Sequence, residues 1–186
     1  VLTVKDLKCR EMEFHDIDFS VYKGEVFGIA GVVGAGRTEL VRAIAGAAEH
    51  ITGTLILDNH PRHFESPHEA IQAGIVLVPE DRKQQGVVVD HAIEENLIYG
   101  NTDLLPGQGW ISPSGLREFA QKAVSRMGVK GLPEQTISCL SGGNQQKLVL
   151  AREIERHPDI LLVGQPTRGV DIGAIEFIHQ QLIDLR

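Results

Sequence analysis

The sequence is poor in cysteine, in aromatic residues and in long apolar runs. Its two cysteines, Cys9 and Cys139, lack metal-site or redox spacing, which excludes a disulfide framework and a zinc site. We therefore expect two buried thiols in a reducing compartment. No apolar run approaches the ~20 residues that span a bilayer. Aromatic residues make up only 5% of the chain, with a single tryptophan, Trp110. We predict that Trp110 anchors the loop 101–115, and the alternative is that it forms part of a contact surface.

The chain also lacks an excess of positive charge. Its formal net charge is −7, and the lysines and arginines are scattered rather than grouped in a stripe. This distribution argues against a nucleic-acid partner. With 186 residues and 42% hydrophobic composition, the chain is long enough for one substantial core. Alternating apolar residues in the first ~35 positions predict antiparallel strands, and residues 116–127 have the spacing of an amphipathic helix.

A glycine-rich loop follows an apolar run at residues 25–30, which we predict to be a strand. Residues 31–38 match the phosphate-binding pattern G-x-x-x-x-G-K-[ST], except that Arg37 replaces the lysine. Backbone amides of such a loop bind phosphate, and the Thr38 hydroxyl is a predicted magnesium ligand. Arginine keeps the charge but has a wider, planar head, so we predict nucleotide binding without optimal catalysis. The predicted nucleotide-binding residues are Gly31, Gly34, Ala35, Gly36, Arg37, Thr38 and Glu39.

A dinucleotide-binding fold is the competing interpretation of this loop, since Gly31, Gly34 and Gly36 also form a loose glycine fingerprint. That fold expects an acidic residue about 20 positions further on, after the second strand. Asp58 fits poorly, because it precedes Asn59 in a predicted hairpin turn.

Residues 140–147, Leu-Ser-Gly-Gly-Asn-Gln-Gln-Lys, combine a helix cap with exposed backbone amides. Ser141 is a good N-cap, and the helix formers of residues 145–153 predict a helix. The amides of Gly142 and Gly143 would then lie at its positive end, where a phosphate binds. Taken alone, the octet is equally compatible with a turn that opens an ordinary amphipathic helix.

Two further strands are predicted, each followed by residues of interest. Residues 160–163 form a predicted buried strand that ends at Gly164 and Gln165. Residues 74–78 form another, which leads to Glu80, Asp81 and Arg82. The Glu80 carboxylate is a candidate metal ligand. The alternative is an exposed acidic turn in which Glu80 and Arg82 are solvated.

In this order and combination, the motifs resemble the nucleotide-binding domain of a bacterial ABC importer, over the whole chain. The loop with Arg37, the Glu80-Asp81-Arg82 run and residues 144–147 look like the second, C-terminal domain of the tandem ATPases that serve simple-sugar importers. The run 165–179 is more similar to the ATPases of nucleoside importers. The resemblance therefore implies a nucleoside as cargo, with a monosaccharide as the alternative.

The resemblance implies an α/β P-loop NTPase fold: a core with a mixed parallel sheet, an N-terminal antiparallel β layer and an inserted helical subdomain. Residues 1–91 and 151–186 would form the core and residues 92–150 the subdomain. Because the chain ends within a helical pattern and begins at Val1, we expect it to be a C-terminally truncated piece.

The family supplies roles for the remaining residues. Two domains pack head to tail, so that the signature of one, here Ser141, Gly142, Gly143 and Gln145, completes the ATP site of the other. Asp171 lies in the position of the D-loop. The family's magnesium strand ends in aspartate and glutamate, which Gly164 and Gln165 replace here, and Glu80 occupies the position of the metal-sensing glutamine.

We therefore expect this domain to bind ATP, with Mg2+ held weakly, and to hydrolyse it slowly. Loss of a general base costs a factor of about 100 to 10,000 in rate. The implied partners are the first ATPase domain of the same polypeptide, transmembrane permease subunits and, indirectly, a substrate-binding protein, at the cytoplasmic face of the bacterial inner membrane. The alternatives are a self-sufficient ATPase, in which Gln165 and Glu80 cover for the lost acids, and a scaffold that binds no nucleotide.

Overall fold

A computed structural model describes residues 1–9, 14–105 and 110–186. The chain divides into two compact units. The first contains Val1–Leu77, Asp159–Gly164 and Gln181–Arg186, and the second contains Val78–Pro158 and Gln165–Gln180. The division into residues 1–91 with 151–186 and residues 92–150 stays a prediction.

The first unit contains a four-stranded antiparallel sheet in the order β2-β1-β3-β4. Its strands are β1 (Leu2–Cys9), β2 (Phe14–Val21), β3 (Ile51–Leu57) and β4 (His60–Arg62). Val4 of β1 pairs with Phe19 on one side and Leu55 on the other. The predicted N-terminal antiparallel layer is therefore confirmed. Asp58 and Asn59 close the β3–β4 hairpin with positive φ angles of 49° and 66°, as the sequence predicts.

The core of this unit lies between the sheet and helix α1 (Arg37–Ile44). Alternate residues of β1 pack there against one face of α1. The strand contributes Leu2, Val4, Leu7 and Cys9, and the helix contributes Leu40, Ala43 and Ile44. A second cluster includes Ala70 of α2 (Pro67–Gln72) and Ile75 of β5 (Ile75–Val78). Strand β6 (Ile160–Val163) pairs with β5, which confirms both predicted strands, although β6 is half-buried rather than buried.

The second unit is helical. Its helices are α3 (Ile93–Ile98), α4 (Pro113–Arg126), α5 (Gly142–Ile154) and most of α6 (Ile172–Asp184). Shorter turns are the π-helical turn (Arg82–Gly86) and the 3-10 turns Thr102–Leu104 and Ile137–Cys139. Helices α3, α4 and α5 contact one another. The apolar face predicted for residues 116–127 is buried in α4 at Ala120, Ala123 and Val124.

The strand predicted at residues 25–30 is not present. In the described part of the chain, neither sheet includes this segment, and Val26, Phe27 and Ile29 are exposed. An apolar run becomes a strand only where neighbouring strands supply hydrogen-bond partners. Here Phe27 instead stacks on Phe19 of β2, with ring centroids 5.0 Å apart.

Two predictions about burial are also wrong. Cys9 is buried, but Cys139 is exposed at the end of a 3-10 turn, where its Sγ lies 3.4 Å from Thr136 Oγ1. Trp110 is 87% exposed and does not anchor its loop, of which residues 106–109 lie outside the described residues. A single exposed apolar side chain is tolerated on a protein surface, so composition alone does not predict its burial. Within the described residues, no helix has the length and apolar character needed to cross a membrane.

Candidate functional site: a glycine loop and a signature helix

The glycine loop leads directly into α1. Ala35 N donates a hydrogen bond to the carbonyl of Val32 at 3.1 Å, and Gly34 and Gly36 have φ angles of 84° and 74°. A side chain would strain both glycines, because this left-handed region favours glycine. Gly36 is the N-cap of α1, and no side chain caps the helix. The backbone amides in the first turn of α1 can therefore bind an anion, as they do at other helix N-termini.

Arg37 folds back across its own loop. Its Nη2 donates to the carbonyl of Val32 at 3.5 Å, and a Cβ added at Gly31 would lie 3.4 Å from its Cδ. The loop thus pairs the exposed backbone at Gly31 and Gly34 with one permanent positive charge, which fits the phosphates of a nucleotide. Thr38 and Glu39 follow in the first turn of α1 and are half-buried. All seven residues predicted to bind nucleotide therefore lie in one continuous loop and helix turn.

The signature residues open α5. Ser141 is exposed, and its Oγ accepts hydrogen bonds from Asn144 N at 3.4 Å and Asn144 Nδ2 at 3.0 Å. The predicted helix and its cap are both present. Gln145 points inward and is only 6% exposed. Its Nε2 donates to the carbonyls of Leu140 and Ile137 at 3.2 and 3.3 Å, so this side chain supports the loop before the helix.

The glycine pair at the start of α5 is closely packed. A Cβ at Gly142 would lie 2.7 Å from Arg82 Nη2 and 3.0 Å from the carbonyl oxygen of Gly169. A Cβ at Gly143 would lie 2.9 Å from Ala174 Cβ and 3.1 Å from Asp171 Oδ2. Both positions therefore require glycine for packing. The predicted D-loop, residues 168–171, is thereby adjacent to the signature.

Asp171 also caps the helix that follows the D-loop. Its Oδ1 accepts a hydrogen bond from Ala174 N at 2.9 Å. Lys147 of α5 lies 3.8 Å from the ring centroid of Phe177 in that helix, and its Nζ donates to the carbonyl of Gly128 at 3.3 Å. Desolvation, followed by repulsion from Lys130, lowers the pKa of Lys147. A cation on an aromatic ring joins α5 to α6 here.

Glu80 and Gln165 come together in the second unit. Glu80 Oε1 accepts hydrogen bonds from Gln165 Nε2 at 2.6 Å and from Arg168 Nη1 at 2.8 Å. The Glu80 side chain is only 18% exposed, so the interpretation as a solvated acidic turn is wrong. Gln165 has a φ of 41°, which is unusual for a residue with a side chain.

These contacts limit the residues that would hold Mg2+. In the first unit, Thr38 offers one hydroxyl and Gly164 has no side chain. In the second unit, the Glu80 carboxylate accepts hydrogen bonds from the amide of Gln165 and the guanidinium of Arg168. Magnesium prefers an octahedral set of oxygens that includes carboxylates. Neither unit by itself supplies such a set from these residues.

Sequence reasoning missed the role of two arginines. Arg168 pairs with Glu80, and Arg82 Nη1 and Nη2 donate to the carbonyls of Arg168 and Gly169 at 2.7 and 3.2 Å. The contacting residues lie 86 and 87 positions apart in the chain. No local pattern predicts such a contact, and the position of Arg82 two residues after Glu80 was the only available signal.

The sequence is similar to known transport ATPases. The family model described as "ABC transporter" matches residues 14–168. The chain is 40% identical over 185 residues to the ribose import ATP-binding protein RbsA of Shouchella clausii, covering 99% of this chain and 37% of that protein. It is 38% identical over 193 residues to the nucleoside import ATP-binding protein NupA of Lactococcus lactis subsp. cremoris, covering 100% of this chain and 38% of that protein. The chain thus spans little more than a third of the length of these relatives.

The fold is similar to solved ATP-binding cassettes. A nucleotide-free cassette from an ABC transporter superposes with a TM-score of 0.80 at 24% identity, covering 100% of this chain and 76% of the other. This likeness shows the ABC-type P-loop NTPase fold.

Proposed function

The chain belongs to the ABC transporter family of ATPase domains, and from this premise we propose that it acts as the second nucleotide-binding domain of an importer ATPase. In this proposal its signature helix completes the ATP site of the first domain of the same polypeptide, while its own site binds ATP and hydrolyses it poorly. The predicted subdomain of residues 92–150 presents that signature.

The observation that carries the proposal is the contrast between the start of α5 and the end of β6. At α5, an exposed Ser141 caps a helix of 13 residues whose first two are glycines. Such an end offers a hydroxyl, backbone amides and the positive end of the helix dipole to a phosphate supplied by a neighbour. At the end of β6, Gly164 and Gln165 supply no carboxylate.

This chain's own residues account for slow hydrolysis. The loop amides and Arg37 bind the phosphates, and the Thr38 hydroxyl would hold Mg2+, which neutralises phosphate charge when bound. The Gln165 carboxamide orients a water molecule but takes no proton from it. The Glu80 carboxylate already accepts hydrogen bonds from Arg168 and Gln165, so it is engaged by neighbouring side chains. Nucleotide binding is therefore retained while the proton acceptor is lost.

The cargo is a nucleoside in this proposal, with a simple sugar as the alternative. The similarity to NupA and to RbsA supports these two classes, and the run 165–179 favours the nucleoside. The domain would act at the cytoplasmic face of the bacterial inner membrane, bound to permease subunits that receive cargo from a substrate-binding protein.

A self-sufficient ATPase is the second candidate, because the 2.6 Å contact between Gln165 and Glu80 places an amide beside a carboxylate. Steady-state phosphate release from the chain alone separates the two. We expect turnover well below about 1 per second, the lower end for ordinary enzymes. Turnover at or above that value would reject the proposal. Calorimetric titration with ATP and magnesium should give a clear heat of binding, and its absence would favour a scaffold.

A further inference from the structure

Arg82 connects three segments that belong to different motifs of the proposed function. It is the first residue of the π-helical turn that follows Glu80. Its two terminal nitrogens donate to consecutive carbonyls of the D-loop, those of Arg168 and Gly169. The same guanidinium contacts the first turn of α5, because a Cβ at Gly142 would lie 2.7 Å from Nη2.

The chemistry of this contact requires an arginine. The planar guanidinium has its donors in a fixed fork, which allows one donor for each of the two carbonyls. A lysine ammonium is a single point charge on a flexible stem and does not reproduce that fork. Arg82 Nε is buried without a hydrogen-bond partner, so the side chain is held by its two terminal nitrogens at some cost in desolvation.

The π-helical turn is also fixed by further contacts at both of its ends. Asp81 Oδ1 accepts hydrogen bonds from Lys83 N and Gln84 N at 3.0 and 3.1 Å. Arg152, near the end of α5, donates through Nη1 to the carbonyl of Gly86 at 2.7 Å. Two arginines thus join the turn to the signature helix α5. Arg82, at the start of the turn, contacts the first turn of α5, and Arg152, near the end of α5, binds the end of the turn.

We propose that Arg82 is a positioning residue that fixes the D-loop against the first turn of α5, so that the turn after Glu80, the D-loop and the signature move as one body. This inference rests on the proposed function, in which the signature and D-loop face the neighbouring domain. It also gives the consequence of the close contact at Gly142: a methyl group there displaces the guanidinium from the D-loop carbonyls.

Amide hydrogen exchange of the chain without nucleotide tests the proposal. In Arg82→Met, peptides that cover residues 166–175 should exchange about tenfold faster, since hydrogen bonds made by a charged donor are lost. Peptides of α4 should be unchanged. Arg82→Lys should behave as Arg82→Met does, because charge alone does not restore the fork. The matched control Lys83→Met removes a neighbouring exposed charge and should match the wild type.

A second pair of variants leaves Arg82 in place. Gly142→Ala should give the same local increase in exchange at residues 166–175. Gly115→Ala, in the first turn of α4, is its control, because the nearest atom to a Cβ there is 3.7 Å away. If Arg82→Met does not fold, Arg82→Lys and Gly142→Ala carry the test.

Three results would overturn the proposal: unchanged exchange in Arg82→Met and Gly142→Ala, wild-type exchange in Arg82→Lys, or an increase that extends equally to α4. Because nucleotide is absent, failure of the proposed function does not alter this readout. A chain that shows the local effect but binds no ATP would contradict the proposed function alone.

Discussion

The N-termini of α1 and α5 are both proposed to bind a phosphate, but their surroundings differ. Before α1, the loop residues Val32 and Val33 are 79% and 98% exposed, and Arg37 contacts only its own loop among the hydrogen bonds described for it. Before α5, Ser141 caps the helix, and Gly142 is enclosed by side-chain and backbone atoms of other segments. The loop before α1 is largely exposed, whereas the start of α5 is fixed by packing.

The difference follows from what each terminus is proposed to do. A loop that surrounds its own nucleotide gains from few contacts, because segments with few buried contacts open at low free-energy cost. A surface that completes a neighbour's site gains from being arranged in advance, because ordering it on association costs affinity. Variants that weaken each terminus therefore have different consequences.

The largest expected effect is on the free energy of unfolding, through the ion pairs near the C-terminal end of α5. Glu153 is 6% exposed and forms ion pairs with Arg152 at 2.7 Å and Arg156 at 3.2 Å. We expect Glu153→Ala to lower the free energy of unfolding by about 3 kcal/mol, because it leaves two largely buried cations without the carboxylate that neutralises them. Urea denaturation measures this change.

Glu118→Ala on α4 is the matched control. Its ion pair with Lys122 is also 2.7 Å long, but both side chains are about 70% exposed. We expect little or no loss of stability, because water and salt screen an exposed ion pair. Equal losses for Glu153→Ala and Glu118→Ala would show that burial does not distinguish the region around α5.

A smaller effect is expected at the glycine loop. Arg37→Ala should weaken ATP binding by about 10- to 100-fold, since it removes a charged donor to phosphate, and leave stability almost unchanged. Calorimetry gives the affinity. Arg42→Ala, which removes another arginine from α1, should bind ATP normally, because Arg42 donates to the carbonyl of Ala47 within its own segment. Normal affinity in Arg37→Ala would remove this loop from the nucleotide site.

The smallest expected effect distinguishes the role of a serine in capping its helix from a role in ATP hydrolysis. Ser141 and Ser112 cap α5 and α4 in the same way: each Oγ accepts a 3.4 Å hydrogen bond, from Asn144 N and Gly115 N respectively. Replacing either serine by alanine should cost about 1 kcal/mol of stability. Only Ser141→Ala should also slow ATP hydrolysis by the complete two-domain ATPase, and equal rates for the two variants would contradict the role of the signature.

Sequence patterns within a single segment correctly predicted several of the elements that those segments form. The Ser141 cap, the Asp58–Asn59 hairpin, the apolar strands β5 and β6 and the buried face of α4 all depend on neighbouring residues, and the structure has each of them. The family resemblance predicted the fold as a whole.

The failures share one physical cause, which is dependence on distant parts of the chain. Residues 25–30 have a strand's composition but no strand beside them, and the exposure of Trp110 depends on surfaces that composition does not describe. The contacts of Arg82 with the D-loop and of Arg168 with Glu80 join segments that are more than 80 residues apart.

The most direct test of the account compares two variants of the complete two-domain ATPase by steady-state phosphate release. Ser141→Arg places a large cation at the surface proposed to bind the neighbour's triphosphate, whereas Gln165→Ala alters a site proposed to contribute little hydrolysis. Ser112→Arg, at the matching cap of α4, controls for the substitution itself. We expect Ser141→Arg to abolish most activity while Gln165→Ala and Ser112→Arg retain it. Equal loss in Ser141→Arg and Gln165→Ala would contradict the asymmetry between the two sites.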